Sequence, residues 1–101
     1  MRGTLPVPSS DVPVYIDDAQ IEWRGRRWSH MVATTAEELH EAAQKLGIPL
    51  RAAQAKGRTL HYDLPSEYRE KAIRLKIAIP ITTRELVRRR TTFAPGNRRA
   101  P

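Results

Sequence analysis

One segment carries a complete set of helix signals. Thr35-Ala36-Glu37-Glu38 is a capping-box pattern. The Thr35 hydroxyl can accept the Glu38 backbone N–H, and the Glu38 side chain can return to the cap. Gly47 stands where a residue in the left-handed conformation closes a helix. Between them Ala36, Leu39, Ala42, Ala43 and Leu46 recur at helical spacing. Glu37, Glu38 and Glu41 lie toward the positive end and Lys45 near the negative one. The apolar stripe of such a helix must be buried against something, and its neighbours in sequence are strand-like.

Val14-Tyr15-Ile16 is β-branched and aromatic and reads as a short buried strand ending at Asp17. Trp28 to Ala33 reads as a second strand, with Trp28, His30 and Val32 on one face and Ser29, Met31 and Ala33 on the other. Ala19 to Arg27, with Gly25 among arginines, is expected to be an exposed turn or loop. Asp63 or Leu64 is expected to cap a second helix with Pro65 in its first turn. Ile77 to Ile81 alternates as a third strand, and Pro80 argues for an edge. Thr82-Thr83-Arg84-Glu85 repeats the capping logic ahead of a last helix over 83–90. The expectation is a small single α/β domain of about three strands and three helices over residues 14–91. Residues 1–13 are expected to form a flexible leader and 92–101 a disordered basic tail.

At 101 residues one domain is the natural reading. The absence of cysteine excludes disulfides, thiolate metal sites and cysteine nucleophiles. No run approaches the roughly 18 apolar residues of a membrane span, and Met1 to Pro13 lack a secretory pattern. The expectation is a cytoplasmic protein without a membrane role. The net charge of +7 is uneven: from Arg84 onward six arginines face one glutamate, whereas residues 1–81 are nearly balanced. Such an end can hold phosphate backbones without sequence preference or simply keep the protein soluble.

The chemistry concentrates between Asp17 and Asp63. An acidic pair, Asp17 and Asp18, follows the first strand, and all three histidines, His30, His40 and His61, lie in the next segments. Imidazole and carboxylate suit zinc, manganese or non-haem iron, so His30, His40, His61, Asp17 and Asp63 are candidate ligands of a divalent metal. No histidine pair has the spacing that places two ligands on one helical face. His61 with Asp63 or Asp17 is a candidate acid–base set without metal. Purely structural roles compete: His30 packed in the sheet, His40 beside the helix stripe, Asp63 as a cap. Ser29 beside His30 is no nucleophile signature, because strand neighbours point to opposite faces.

Nucleic-acid contact would use Arg24, Arg26 and Arg27 with Trp23 and Trp28 nearby, together with Arg84, Arg88, Arg89 and Arg90. A protein-interaction module, marked by an exposed apolar patch, is the alternative of a different class.

The ordered series Val14 to Asp18, Trp28 to Ala33, Glu37-Glu38-Leu39-His40, Leu46-Gly47 and His61-Tyr62-Asp63-Leu64 resembles domain-of-unknown-function family 4031 over roughly residues 14 to 87. That is a family of small bacterial and phage proteins. The resemblance places the family's acidic, histidine and tyrosine positions on Asp17, Asp18, His30, His40, His61, Tyr62 and Asp63. It implies domain limits and no known activity. The strongest functional expectation from the residues is nucleic-acid or phosphate-ligand binding, with metal-assisted phosphodiester hydrolysis as its most specific form.

Overall fold

The structure is a computed structural model that describes residues 13–96 apart from 56 and 58. Most of the expected leader and the last five residues of the expected tail lie outside the described residues. The chain forms β1 (Val14–Ile16), β2 (Ile21–Trp23), β3 (Arg26–Ala33), α1 (Ala36–Lys45), β4 (Tyr62–Pro65), α2 (Ser66–Arg74), β5 (Ile79–Pro80) and α3 (Thr83–Arg88). Short 3-10 turns lie at Leu50–Ala52 and Arg90–Thr92. This is a small α/β domain, with a five-stranded mixed sheet in place of the three strands expected.

The long strand β3 organises the sheet. One of its edges carries β4 in antiparallel register, with His30 opposite Asp63 and Met31 opposite Tyr62. Its other edge carries β1 and then β2, which act as two halves of one interrupted strand. β5 adds parallel to β1. Pro80 sits in this outermost strand, where its missing N–H breaks no inner ladder.

Strand alternation sorts the side chains onto two faces. Val14, Ile16, Met31, Ala33, Tyr62 and Leu64 join Leu39, Ala42, Ala43 and Leu46 of α1 and Ala72 of α2 in one buried core. The opposite face carries Tyr15, His30, Val32 and Asp63. Tyr15 meets Phe93 with ring centroids 5.7 Å apart, and Arg89 stacks over Tyr15 at 4.6 Å.

Five expectations change. The exposed turn expected around Gly25 is present at Arg24 and Gly25, but the residues on either side pair as a β-hairpin and not as a loop. Arg24 and Gly25 both have positive φ, 54° and 75°, as a two-residue type I′ turn requires. Asp63 lies within β4 and caps nothing, because Leu60, Tyr62 and Leu64 alternate into the core and extend the backbone up to Pro65. The third strand shrinks from 77–81 to Ile79–Pro80, and the last helix ends at Arg88. Finally, the start of the expected tail is built into the fold: Phe93 and Ala94 are buried, Ala94 N–H donates to Ala33 O at 2.8 Å, and Leu60 N–H donates to Ala94 O at 3.0 Å.

Candidate metal centre

The site begins with the break between β1 and β2. Ile16 pairs with Met31 and Ile21 with Trp28, so four residues, Asp17 to Gln20, face only Ser29 and His30. The extra length forms a bulge that turns Asp17 inward. Asp17 is fully buried. Its Oδ1 accepts the backbone N–H of His30 at 2.8 Å and of Ala19 at 3.2 Å, replacing a ladder carbonyl. Its Oδ2 lies 2.8 Å from His30 Nδ1. Ser29 Oγ fastens the bulge by donating to Ala19 O at 2.6 Å.

Further groups hold this corner from α2 and α3. Arg69 Nε donates to Asp17 O at 2.8 Å. Thr83 N–H donates to Asp18 Oδ1 at 2.8 Å, and the Thr83 hydroxyl lies 3.2 Å from Asp17 Oδ2 and 3.1 Å from Asp18 Oδ1. Sequence reading assigned Arg69 and Thr83 no role at the site. Thr83 could have been found from the rule that sites gather where parallel strands end and helices begin. No sequence signal marked Arg69.

The electrostatics follow from these bonds. Burial alone would raise the Asp17 carboxyl, but the His30 ring, the His30 and Ala19 N–H groups and the His30 charge together hold it below the usual range. Asp17 is therefore an ionised acceptor. Its hydrogen bond pushes His30 up, against the opposing effect of burial, with the charges of Asp17 and Asp63 adding to the rise.

The two histidines converge. His30 and His61 meet edge to face, 5.4 Å between centroids. An ionised carboxylate can only accept, so His30 holds its Nδ1 proton toward Asp17. The Thr59 carbonyl, 3.0 Å from His61 Nδ1, can also only accept, which assigns that proton to Nδ1 as well. In the neutral form each ring would present an Nε2 lone pair. Asp63 Oδ1 lies 3.9 Å from His30 Nε2 and 3.5 Å from His61 Nε2. One ligand atom from each of His30, His61 and Asp63 falls within 4.8 Å of the others. With both Nε2 atoms unprotonated these three groups would repel one another, and either a proton on His30, which Asp17 and Asp63 favour, or a bound cation relieves that repulsion.

Of the five candidate ligands, three converge, and Asp17 stands behind them as the partner of His30. Asp17 therefore orients His30 and not His61; of the two acid–base partners expected for His61, Asp63 is the one beside it, 3.5 Å from its Nε2. His40 is separate: its Nδ1 lies 2.8 Å from Tyr62 Oη on the helix-covered face, and it does not join the group. The same pleat that sends Tyr62 into the core sends His61 and Asp63 the other way.

Two cavities flank the group and share His30 and His61. One, about 400 Å³, also meets Ile21, Trp23, Trp28 and Asp63. The other, about 250 Å³, reaches Thr83, Leu86, Val87 and Arg90. The arginines expected to contact nucleic acid divide between two regions. On the hairpin, Arg26 pairs with Glu67 and Arg27 with Glu22, while Arg24 stacks on Trp23. On α3 and the turn after it, Arg88 and Arg89 pair with Glu85. Among the described residues Arg24, Arg84 and Arg90 have no carboxylate partner.

Fold and site define a small α/β domain with a histidine–carboxylate cluster on the open face of its sheet. The chain belongs to the family described as "Protein of unknown function (DUF4031)", which matches residues 14–93. Searches against curated proteins and against solved structures gave no match. Among the described residues no helix is long and apolar enough to cross a membrane.

Proposed function

We propose that His30, His61 and Asp63 bind one divalent cation and that the protein uses it to hydrolyse a phosphodiester. The observation that carries this reading is the pair of Nδ1–H bonds, to Asp17 and to Thr59 O, which leave both Nε2 atoms free beside Asp63. A carboxylate behind a ligating histidine is the usual way to fix its tautomer and raise its basicity. Two imidazoles and one carboxylate leave coordination positions open for water and substrate. Nitrogen and oxygen donors suit zinc, manganese or ferrous iron.

A divalent cation held by His30, His61 and Asp63 would supply hydroxide from water near neutrality. In the hydrolysis that follows, an oxygen from water would form a bond to phosphorus. The bond from phosphorus to the leaving oxygen breaks, and its electron pair stays on that oxygen. The proton given up by the water returns to the leaving oxygen through solvent, so one water is consumed in total. Arg90, which lines the adjoining cavity, would hold a phosphate oxygen.

The test is calorimetric titration of the full chain, stripped with chelator, with Zn²⁺ and Mn²⁺, followed by hydrolysis of bis(p-nitrophenyl) phosphate. Expected are one ion per chain, metal-dependent turnover, and loss of both in His61→Ala and Asp63→Asn at unchanged fold. Metal-free turnover equal to the loaded rate, or binding unaffected by both substitutions, overturns the reading. A protein-interaction role draws on a different observation: Ile21, Trp23 and Leu50 are 52%, 57% and 63% exposed.

A further inference from the structure

We infer that the cavity beside the metal group takes an unpaired nucleotide of a single-stranded nucleic acid, its base against Trp23 and Trp28 and its phosphodiester at the histidines. The inference rests on the metal-centre reading for its chemistry and adds the substrate class.

The cavity joins two unlike surfaces. At one end stand the aliphatic Ile21 and the flat indoles of Trp23 and Trp28; at the other stand His30, His61 and Asp63. Its volume of about 400 Å³ is of the size that holds a small ligand. A ligand that fills it needs a planar aromatic part joined to an anionic ester. A nucleotide has both.

The indoles are held in place before any ligand arrives. Trp28 Nε1 donates to Trp23 O at 2.8 Å, and the rings meet edge to face at 5.9 Å. The type I′ turn fixes the hairpin that carries them. Trp23 nevertheless remains more than half exposed. An exposed tryptophan on a rigid hairpin has apolar surface to offer at little entropic cost.

Cations surround this platform. The Arg24 guanidinium lies 4.5 Å from the Trp23 ring centroid and that of Arg26 5.9 Å from Trp28. On the far side of His30 and His61 the second cavity ends at Arg90. A strand crossing the histidines would meet positive charge both where it enters and where it leaves. A free mononucleotide would use only one of the two cavities. Gln54, whose backbone pairs with that of His61, lines the same cavity, and its amide can donate or accept, so it offers a polar contact without selecting one base. A duplex keeps its base faces covered, so an indole reaches them only in an unpaired strand.

The experiment uses the full chain in chelator, so that binding is read apart from metal chemistry. Fluorescein-labelled single-stranded DNA and RNA of about 15 nucleotides, and the matching duplexes, are titrated at about 50 and 200 mM salt. Anisotropy should show single strands bound more tightly than duplex, and tryptophan emission should fall on binding. Trp23→Ala, which removes an exposed side chain, should weaken single-strand binding about 5- to 150-fold. Arg90→Ala should weaken it and reduce its salt dependence. With metal restored, the bound strand should be cut, and Asp63→Asn should bind without cutting. Binding without cleavage would overturn the hydrolytic reading and leave the base platform standing. Equal binding to duplex, no effect of Trp23→Ala, or no binding to either strand would overturn the inference and return the exposed patch to a protein partner.

Discussion

Asp17→Asn tests the site through its least exposed member. In the native protein Oδ1 accepts two backbone N–H groups, from His30 and Ala19, and Oδ2 faces His30 Nδ1 at 2.8 Å. An asparagine has one acceptor oxygen. Placing its NH₂ at the Oδ1 position would oppose two backbone donors inside the fold, so the amide oxygen takes that position. The NH₂ group then faces His30 Nδ1, which must become the acceptor. The ring proton moves to Nε2, and the lone pair needed for the cation is lost. Loss of a supporting carboxylate behind a ligating histidine costs about 10- to 100-fold in metal affinity, or about 1.4–2.7 kcal/mol. Replacing a charge-assisted hydrogen bond should also cost about 1–3 kcal/mol of stability. Long-range ¹H–¹⁵N spectra of the imidazoles read the tautomer directly, and chelator competition reads the affinity below the unfolding midpoint. Weaker metal binding with His30 still protonated at Nδ1 would assign the effect to charge alone and refute the tautomer argument. Unchanged affinity in a folded variant would refute the role of Asp17 altogether.

Other parts of the molecule give independent checks. Tyr62→Phe removes the bond to His40 on the opposite face; it should cost about 1 kcal/mol in denaturant unfolding and leave metal affinity unchanged. The Asp18 carboxyl is held below its usual 3.8, first by the Thr83 backbone N–H and then by the Thr83 hydroxyl. Its contribution to stability is full above the ordinary value and is lost as pH falls through the lowered one. Denaturation midpoints measured downward from about pH 4 should therefore fall less steeply in Asp18→Asn than in wild type. At Gly96 a Cβ would lie 2.6 Å from Gly57 O and 2.8 Å from Ala55 O. Gly96→Ala should lower stability by about 1–3 kcal/mol, and an unchanged midpoint would show that the segment gives way freely.

What the sequence made legible was local. Helix α1 spans Ala36–Lys45, and Glu38 N–H reaches Thr35 Oγ1 at 3.2 Å, because cap, stripe and closing glycine all lie within one short stretch. The family limits were legible for the same reason, as ordered short motifs. The hairpin was hidden because β2 has only three residues, all exposed, so no burial pattern marks them. Phe93 was hidden because, apart from Arg89, its partners are remote: Tyr15 against the ring, Ala33 and Leu60 along the neighbouring backbone. The separation of His40 from His61 depends on which way β4 is pleated. Tyr62 decides that by entering the core, and the decision is made by α1 packing across the sheet.

The cluster itself depends on a local defect. A continuous strand from Val14 to Trp23 would alternate evenly against β3, and its carbonyls would take up the ladder N–H groups. The bulge of Asp17 to Gln20 removes that regularity, and the Asp17 carboxylate fills the gap by accepting from His30 N–H. The same carboxylate orients the His30 ring, so the repair of the backbone and the setting of the tautomer are one interaction. His30 stands directly opposite Asp63, and His61 lies two residues before Asp63 on the same pleated face. Register therefore brings the three groups together once the bulge is in place. A departure from regular pairing held by a buried ionised group is costly where packing is the only requirement. It is expected where geometry must be held for chemistry. Filling Asp17 with an apolar residue should separate these two demands, because a purely structural bulge would tolerate it together with a shortened loop, whereas a metal centre would lose the orientation of His30.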